Sequence, residues 1–368
     1  MKNFLFILGT RPEAIKLAPI IIEARRRGIH CQIVSTGQHG QVVQDMLAIF
    51  DIETHADLGA LKNEPQDPGT ILARIMYNLD CSYSMGEFTN ADACFVQGDT
   101  TSTLAGALWA FYRKIPVAYV ESGLRSGAKR SPFPEEMHRR MVAQIADYHF
   151  CPTKESADNL VKEGIRSNIF VVGNTVIDSM YMVLDKNYSF RPELQKLVDS
   201  RKDEFIIMTI HRRENWGIAE DIFNAVANFM DMFETFKLVI PIHMNSMGEV
   251  AKKVFEGKKN VILVDPLPYD EFVNLIARSL FVVTDSGGIQ EEAPYLTKPV
   301  LVVRRNTERT EALHAGVSTL VGVNPATIVN EMRTLLFDDV HYYNMVDSNY
   351  HKYGYGDSAR KIINALRS

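Results

Sequence analysis

The chain has 368 residues, of which 46% are hydrophobic, 23% charged and 10% aromatic; that is length enough for two domains, and it excludes disordered, collagen-like and disulfide-scaffold classes. Forty Lys and Arg against forty-five Asp and Glu leave a net charge of −5, so there is no basic field to hold a polyanion and nucleic acid is not an expected partner. Cys31, Cys81, Cys94 and Cys151 lie far apart with no CxxC pair, which excludes a zinc knuckle or redox couple built from neighbours and reads as buried thiols in a reducing cytoplasm.

The first predicted strand, 4–8, lies in the apolar run NFLFILG, too short for a signal-peptide core and without a small-residue cleavage pattern. No uncharged run approaches the roughly 20 residues that span a bilayer, so the expectation is a chain neither secreted nor held in a membrane. Strands follow at 31–35, 93–97, 117–120, 148–151 and 169–172, alternating with segments of helical period. That alternation predicts an α/β class with a parallel sheet covered by helices. From 173 to 203 the strand signal stops, and this is where the domain boundary is expected. The series restarts at 205–209, 236–240, 261–264, 281–284 and 299–303, a second sheet. The expected domains are therefore residues 1–172 and 173–353. The end, 357–366, reads as a helix capped by Asp357 and Ser358 with Ile362, Ile363 and Leu366 on its apolar edge, able to pack on either domain.

Ligands of open α/β sheets bind beyond the carboxyl ends of the strands, and the residues there are polar. Gly9, Thr10, Arg11, Pro12, Glu13 and Lys16 follow the first strand; Gly9 and Pro12 alone suit a tight strand-to-helix turn, whereas Arg11 and Lys16 place two cations where an anion would dock. Asp99 follows the strand ending at 97, either as a helix cap or as a reactive carboxylate. Glu121 follows the strand ending at 120, and the segment SPFPEE then supplies Glu135 and Glu136, with Arg139 and Arg140 on the same helix. Three carboxylates at one sheet edge can divide acid and base roles. In the second half, His211, Arg212 and Arg213 follow a strand end, where a histidine suits proton traffic; His243 is a weaker echo.

The segment FVVTDSGGIQEEA turns from strand to helix through Ser286, Gly287 and Gly288. Two glycines let the backbone approach a phosphate at a helix N-terminus. Glu291 and Glu292 stand one turn on, placed to accept ribose hydroxyls or to complement the helix dipole. Arg304, Arg305 and Arg309 add positive charge after the following strand. GxGxxG after the first strand, GxxxxGK[ST], HExxH and GxSxG are all absent, which disfavours dinucleotide redox, P-loop, zinc and serine-nucleophile chemistry.

The motifs FILGTRPEAIKLAP, STGQH, VQGDTTST, VESGLRSG, SPFPEE, VVGNTVID, IHRREN, PIHMN, TDSGGIQEEAP and NTERTEALHAG together resemble, in order and spacing, the non-hydrolysing UDP-N-acetylglucosamine 2-epimerase family of bacteria over nearly the whole chain. The resemblance implies a GT-B architecture, two Rossmann-like domains facing a central cleft, with the C-terminal helix 354–368 returning to the first domain. It implies interconversion of UDP-GlcNAc and UDP-ManNAc by elimination of UDP and readdition, without cofactor or metal, in a cytoplasmic homodimer. Carried over, the catalytic groups are Asp99, Glu121, Glu135 and His211. Substrate-binding positions are Arg139, with Arg11 and Lys16 on the phosphate side, Ser286, Gly287 and Gly288 at the diphosphate, Glu292 at the ribose, Arg309 at the closing edge and Phe272 against uracil. A second, effector molecule of UDP-GlcNAc would meet Gln38, Gln41, Glu136, Arg212 and His243.

The chain departs from the family pattern at VESGLRS, at His138, at Ser246 and at RRNTERTE; Leu267, Arg305 and Thr310 also differ near the expected substrate. A related UDP-sugar therefore stays open as substrate. A hydrolysing epimerase, a GT-B glycosyltransferase and a catalytically silent nucleotide-sugar sensor are the competing readings.

Overall fold

In the computed structural model the described residues are 2–59, 67–200, 204–233, 235–242, 246–307, 309–347 and 349–366. They form two compact units, one within Met1–Tyr181 and Tyr353–Ser368, the other within Met182–Lys352. Residues 173–181, which follow the sequence boundary, belong with the first.

The first unit holds strands β1 (Asn3–Leu8), β2 (His30–Ser35), β3 (Ala56–Asp57), β4 (Ala93–Gln97), β5 (Val117–Val120), β6 (Tyr148–Cys151) and β7 (Ile169–Val171) in a parallel sheet of order β3-β2-β1-β4-β5-β6-β7. The second holds β8 (Glu204–Thr209), β9 (Phe236–Pro241), β10 (Val261–Val264), β11 (Val282–Thr284), β12 (Val300–Val302) and β13 (Ser318–Leu320), also parallel, in order β10-β9-β8-β11-β12-β13. Both are the Rossmann-like sheets that the GT-B resemblance implies. Apart from Asn3 at the start of β1, the strands β1, β4 and β5 are buried throughout, as parallel strands covered on both faces must be. Each sheet reverses its strand order once, between β1 and β4 and between β8 and β11. Such switch points open the crevices in which α/β sheets take ligands.

The helix Ser358–Ala365 packs on the helix Arg11–Arg26 within the first unit, with Ile362 and Ile363 fully buried. Its cap differs from the sequence expectation. Asp357 turns to Arg360 (2.8 Å), while Asp178, from the helix Thr175–Val183, accepts the amides of Ser358 (3.2 Å) and Ala359 (2.9 Å). Gly173, at φ +95°, allows this closure: a Cβ there would lie 2.6 Å from the Tyr353 carbonyl.

The four cysteines are free. Three are buried, as expected, and burial pushes the Cys31 thiol up to about 11 and the Cys151 thiol up to about 12; Cys81 differs in being only half-buried, on the helix Pro68–Ser84. Among the described residues no helix is long and apolar enough to cross a membrane.

Candidate active site

At the switch point of the first sheet, β1 is followed by Gly9, where a Cβ would lie 2.0 Å from Thr36 Oγ1 and 2.2 Å from Ser102 Oγ. Only glycine fits there. The next turn is organised by Glu13. Its Oε2 accepts the amides of Gly9 (2.8 Å) and Thr10 (2.7 Å), and its Oε1 accepts the hydroxyls of Thr100 (2.6 Å) and Thr103 (2.8 Å). Burial pushes the Glu13 carboxyl up against the pull of these bonds. One carboxylate thus ties the loop after β1 to the loop after β4.

The three carboxylates expected to react each have a distinct environment. Asp99, half-buried, accepts Nε (2.9 Å) and Nη2 (2.6 Å) of Arg139, and its carbonyl oxygen lies 2.9 Å from Nδ1 of His138. Glu121 is buried in the left-handed region, φ +65°, a conformation that persists only when its surroundings over-determine it. Those surroundings are Lys16 Nζ at 2.5 Å, Asn174 Nδ2 at 3.3 Å and the side-chain amide of Gln97. Glu135 opens the helix Glu135–Ile145, and its Oε2 is buried without a hydrogen-bond partner. Asp99 and Glu121 are both close to Tyr119, whose phenol is pushed up first by burial and then by their charges; its hydroxyl donates to the Gly98 carbonyl at 2.8 Å.

Two of the expected substrate-binding cations are paired with carboxylates of the same unit. Lys16 is buried with its Nζ on Glu121 Oε1. Arg139 is buried between Asp99 and Glu136, to whose Oε2 its Nη1 donates at 3.2 Å, so its fork clamps two carboxylates. Arg11 is half-buried at the start of its helix. Among the expected effector positions, Gln38 accepts from Ser102 (2.6 Å) and Gln41 donates to Asp45 (2.8 Å). Glu136, fully buried, takes the Ser126 amide (2.9 Å) and Arg140 (3.1 Å) besides Arg139. Arg212 donates its amide to Asp285, and His243 lies outside the described residues.

In the second unit β8 and β11 end in register at Thr209 and Thr284, whose hydroxyls are 2.6 Å apart. His211 follows β8 with its side chain 41% exposed, and its Nδ1 is 3.4 Å from Oδ1 of the fully buried Asp285. Asp285 was not singled out from the sequence, although it stands in the TDSGG run as a charged residue at a strand end. Ser286 makes no side-chain cap to the helix Gly287–Glu292, so the capping side chain leaves the first amides of Gly287 and Gly288 to other acceptors. Arg309 lies directly over this start: a Cβ on Gly287 would sit 2.7 Å from its Cζ. Glu291 accepts Arg309 Nε at 2.9 Å, and Glu292, buried, accepts the Tyr269 hydroxyl at 2.5 Å. Phe272 is half-buried on the helix Tyr269–Ile276. A guanidinium above a glycine pair at a helix start suits a diphosphate.

The family model described as UDP-N-acetylglucosamine 2-epimerase matches residues 22–367. The UDP-N-acetylglucosamine 2-epimerase of Bacillus subtilis (strain 168) is 41% identical over 364 residues, 98% of this chain and 93% of that protein. The structure of UDP-GlcNAc 2-epimerase from Neisseria meningitidis bound to UDP-GlcNAc is 36% identical with a TM-score of 0.89, over 99% of each chain. The S. aureus MnaA–UDP co-structure is 38% identical with a TM-score of 0.89, over 100% of this chain and 96% of that one. The chain belongs to the UDP-N-acetylglucosamine 2-epimerase family.

Proposed function

We propose that the protein interconverts UDP-GlcNAc and UDP-ManNAc by the non-hydrolysing route, supplying ManNAc units for bacterial surface polysaccharide. The observation that carries this is the set of three carboxylates with three different partner sets, Asp99 and Glu121 just past the ends of β4 and β5 and Glu135 at the start of the helix that follows β5. The C2 hydrogen of the sugar is not adjacent to a carbonyl, so direct abstraction is difficult. Departure of UDP from C1 relieves the charge that would build at C2.

One carboxylate takes the C2 proton as the C1–O bond to UDP breaks, giving 2-acetamidoglucal and UDP. A phosphate oxygen then re-forms the bond to C1 as a second carrier delivers a proton to the opposite face of C2. Nothing is consumed, and no cofactor or metal enters. Asp99 and Glu121 each face a cation, whereas Glu135 keeps a buried oxygen without a donor, which suits it to exchange a proton with the substrate. On this reading Ser286, Gly287, Gly288 and Arg309 hold the diphosphate, Glu292 the ribose and Phe272 the uracil, with Arg11 on the phosphate side and His211 serving the leaving UDP.

The test is incubation with UDP-GlcNAc in D2O, followed by NMR. The expected product is UDP-ManNAc carrying deuterium at C2. Free ManNAc with UDP would replace this reading with a hydrolysing epimerase, and no exchange at C2 would remove the epimerase reading altogether. The same proposal includes a cytoplasmic homodimer, read by sedimentation, and a UDP-GlcNAc effector, read as a sigmoidal dependence of rate on that nucleotide.

A further inference from the structure

Asp285 is completely buried at the switch point of the second sheet, and four groups converge on it. Its Oδ2 accepts the Arg212 amide at 2.9 Å and Asn215 Nδ2 at 2.9 Å. Both oxygens lie within reach of the His211 amide, at 3.2 and 3.1 Å, and Oδ1 stands 3.4 Å from Nδ1 of the His211 ring. The carboxylate is rigidly placed. Thr284 next to it bonds Thr209 and the Ser286 amide (2.9 Å), and Asn215 is itself pinned to the Val303 carbonyl (3.1 Å). Two amides and one side-chain amide already satisfy the charge and the turn; the ring contact goes beyond what folding this loop requires.

We propose that Asp285 is a positioning residue for His211, an inference that rests on the epimerase reading above. Its Oδ1 holds the imidazole with the Nδ1 proton turned inward, so that Nε2 is the nitrogen left to take up a proton from solvent and, in the imidazolium that Asp285 stabilises, to donate it to the leaving UDP oxygen. The bond made by one ring nitrogen sets which tautomer the other presents. A 3.4 Å separation is long, as such bonds are before substrate draws them in. Because Ser286, Gly287 and Gly288 follow Asp285 directly, one residue fixes the imidazole relative to the loop proposed to hold the diphosphate.

The test reads the ring nitrogens of His211 by 15N NMR at about pH 8.5, where an imidazole is neutral, with the His211→Gln variant giving the assignment. The Nδ1–H tautomer is expected in the wild type, and the Nε2–H tautomer gaining in Asp285→Asn. In steady-state kinetics Asp285→Asn is expected to lower kcat about 100-fold or more, as a wrong tautomer does, with KM changed less than about threefold. In the His211→Gln background the same substitution is expected to change kcat less than about twofold. An Nε2–H tautomer in the wild type overturns the proposal, as does an equal loss in both backgrounds, which would mark a purely structural carboxylate. If Asp285→Asn does not fold, the wild-type tautomer decides alone. The NMR readout needs no turnover, so a protein without epimerase activity would defeat the functional reading and leave this relationship separately measurable.

Discussion

Lys16 Nζ lies 2.5 Å from Glu121 Oε1, with the side chains only 8% and 7% exposed. Removing one partner of a buried pair leaves an uncompensated charge and costs about 3–5 kcal/mol. Lys16→Met is therefore expected to lower stability by that order in urea unfolding, and the charge-matched double variant Lys16→Met/Glu121→Gln to recover most of it. UDP affinity by calorimetry is expected to stay within about threefold of wild type. The opposite pattern, intact stability with lost UDP binding, would favour the phosphate role that its position in the sequence suggests.

Arg139 reaches Asp99 through two nitrogens and Glu136 through the third. Lysine cannot reproduce that fork. Arg139→Lys is expected to fold, to bind UDP as wild type does and to lose at least about 10-fold in kcat, because the Asp99 carboxylate is no longer held in one orientation. Asp99→Asn is expected to lose about 10²–10⁴-fold, the usual range for removing a general acid or base. Parallel UDP titrations and steady-state rates separate the two effects; wild-type turnover in Asp99→Asn would remove that residue from the chemistry.

How much of this was legible depends on the range of the interaction. Strands 93–97, 117–120, 148–151 and 261–264 match β4, β5, β6 and β10 to the residue, because short continuous apolar runs bounded by polar turns are what covered parallel strands look like. The strands that went unread, Ala56–Asp57 and Ser318–Leu320, are two and three residues long, lie at sheet edges and carry exposed positions, so they have too little pattern to detect. Asp99, Glu121, His211 and the Ser286–Gly288 turn were legible as polar residues after strands. Their partners were not. The Lys16–Glu121 pair spans 105 positions, the Asn174–Glu121 bond 53 and the His211–Asp285 contacts 74. Such pairings are set by strand order, which a single sequence does not display.

Gly287 offers a test of the diphosphate loop alone. A methyl group there would sit 2.7 Å from Arg309 Cζ, the far end of a long side chain that Glu291 holds at Nε. Alanine suits a helix start better than glycine does, so Gly287→Ala is expected to leave unfolding stability within about 1 kcal/mol of wild type while pushing the guanidinium aside. UDP affinity should fall about 10-fold or more, a loss of about 1.4 kcal/mol or more. Unchanged affinity would take both Gly287 and Arg309 out of the diphosphate site.

Glu136 makes the stability of the first unit depend on acid. Burial opposes its charge, but the Ser126 amide, Arg140 and Arg139 outweigh burial and hold the carboxyl below its ordinary 4.5. As pH falls the unfolded chain then takes up this proton first, so the stabilisation is complete above about pH 5 and is lost as pH drops through the lower, folded value. Glu136→Gln is accordingly expected to be less stable than wild type by about 1–2 kcal/mol at pH 7, with the gap closing below about pH 4. Denaturant unfolding of both proteins from about pH 3.5 to 7 measures it. A gap that stays constant across that range would mean that the neutral amide loses packing rather than charge, and that the three donors around Glu136 do not select its ionised form.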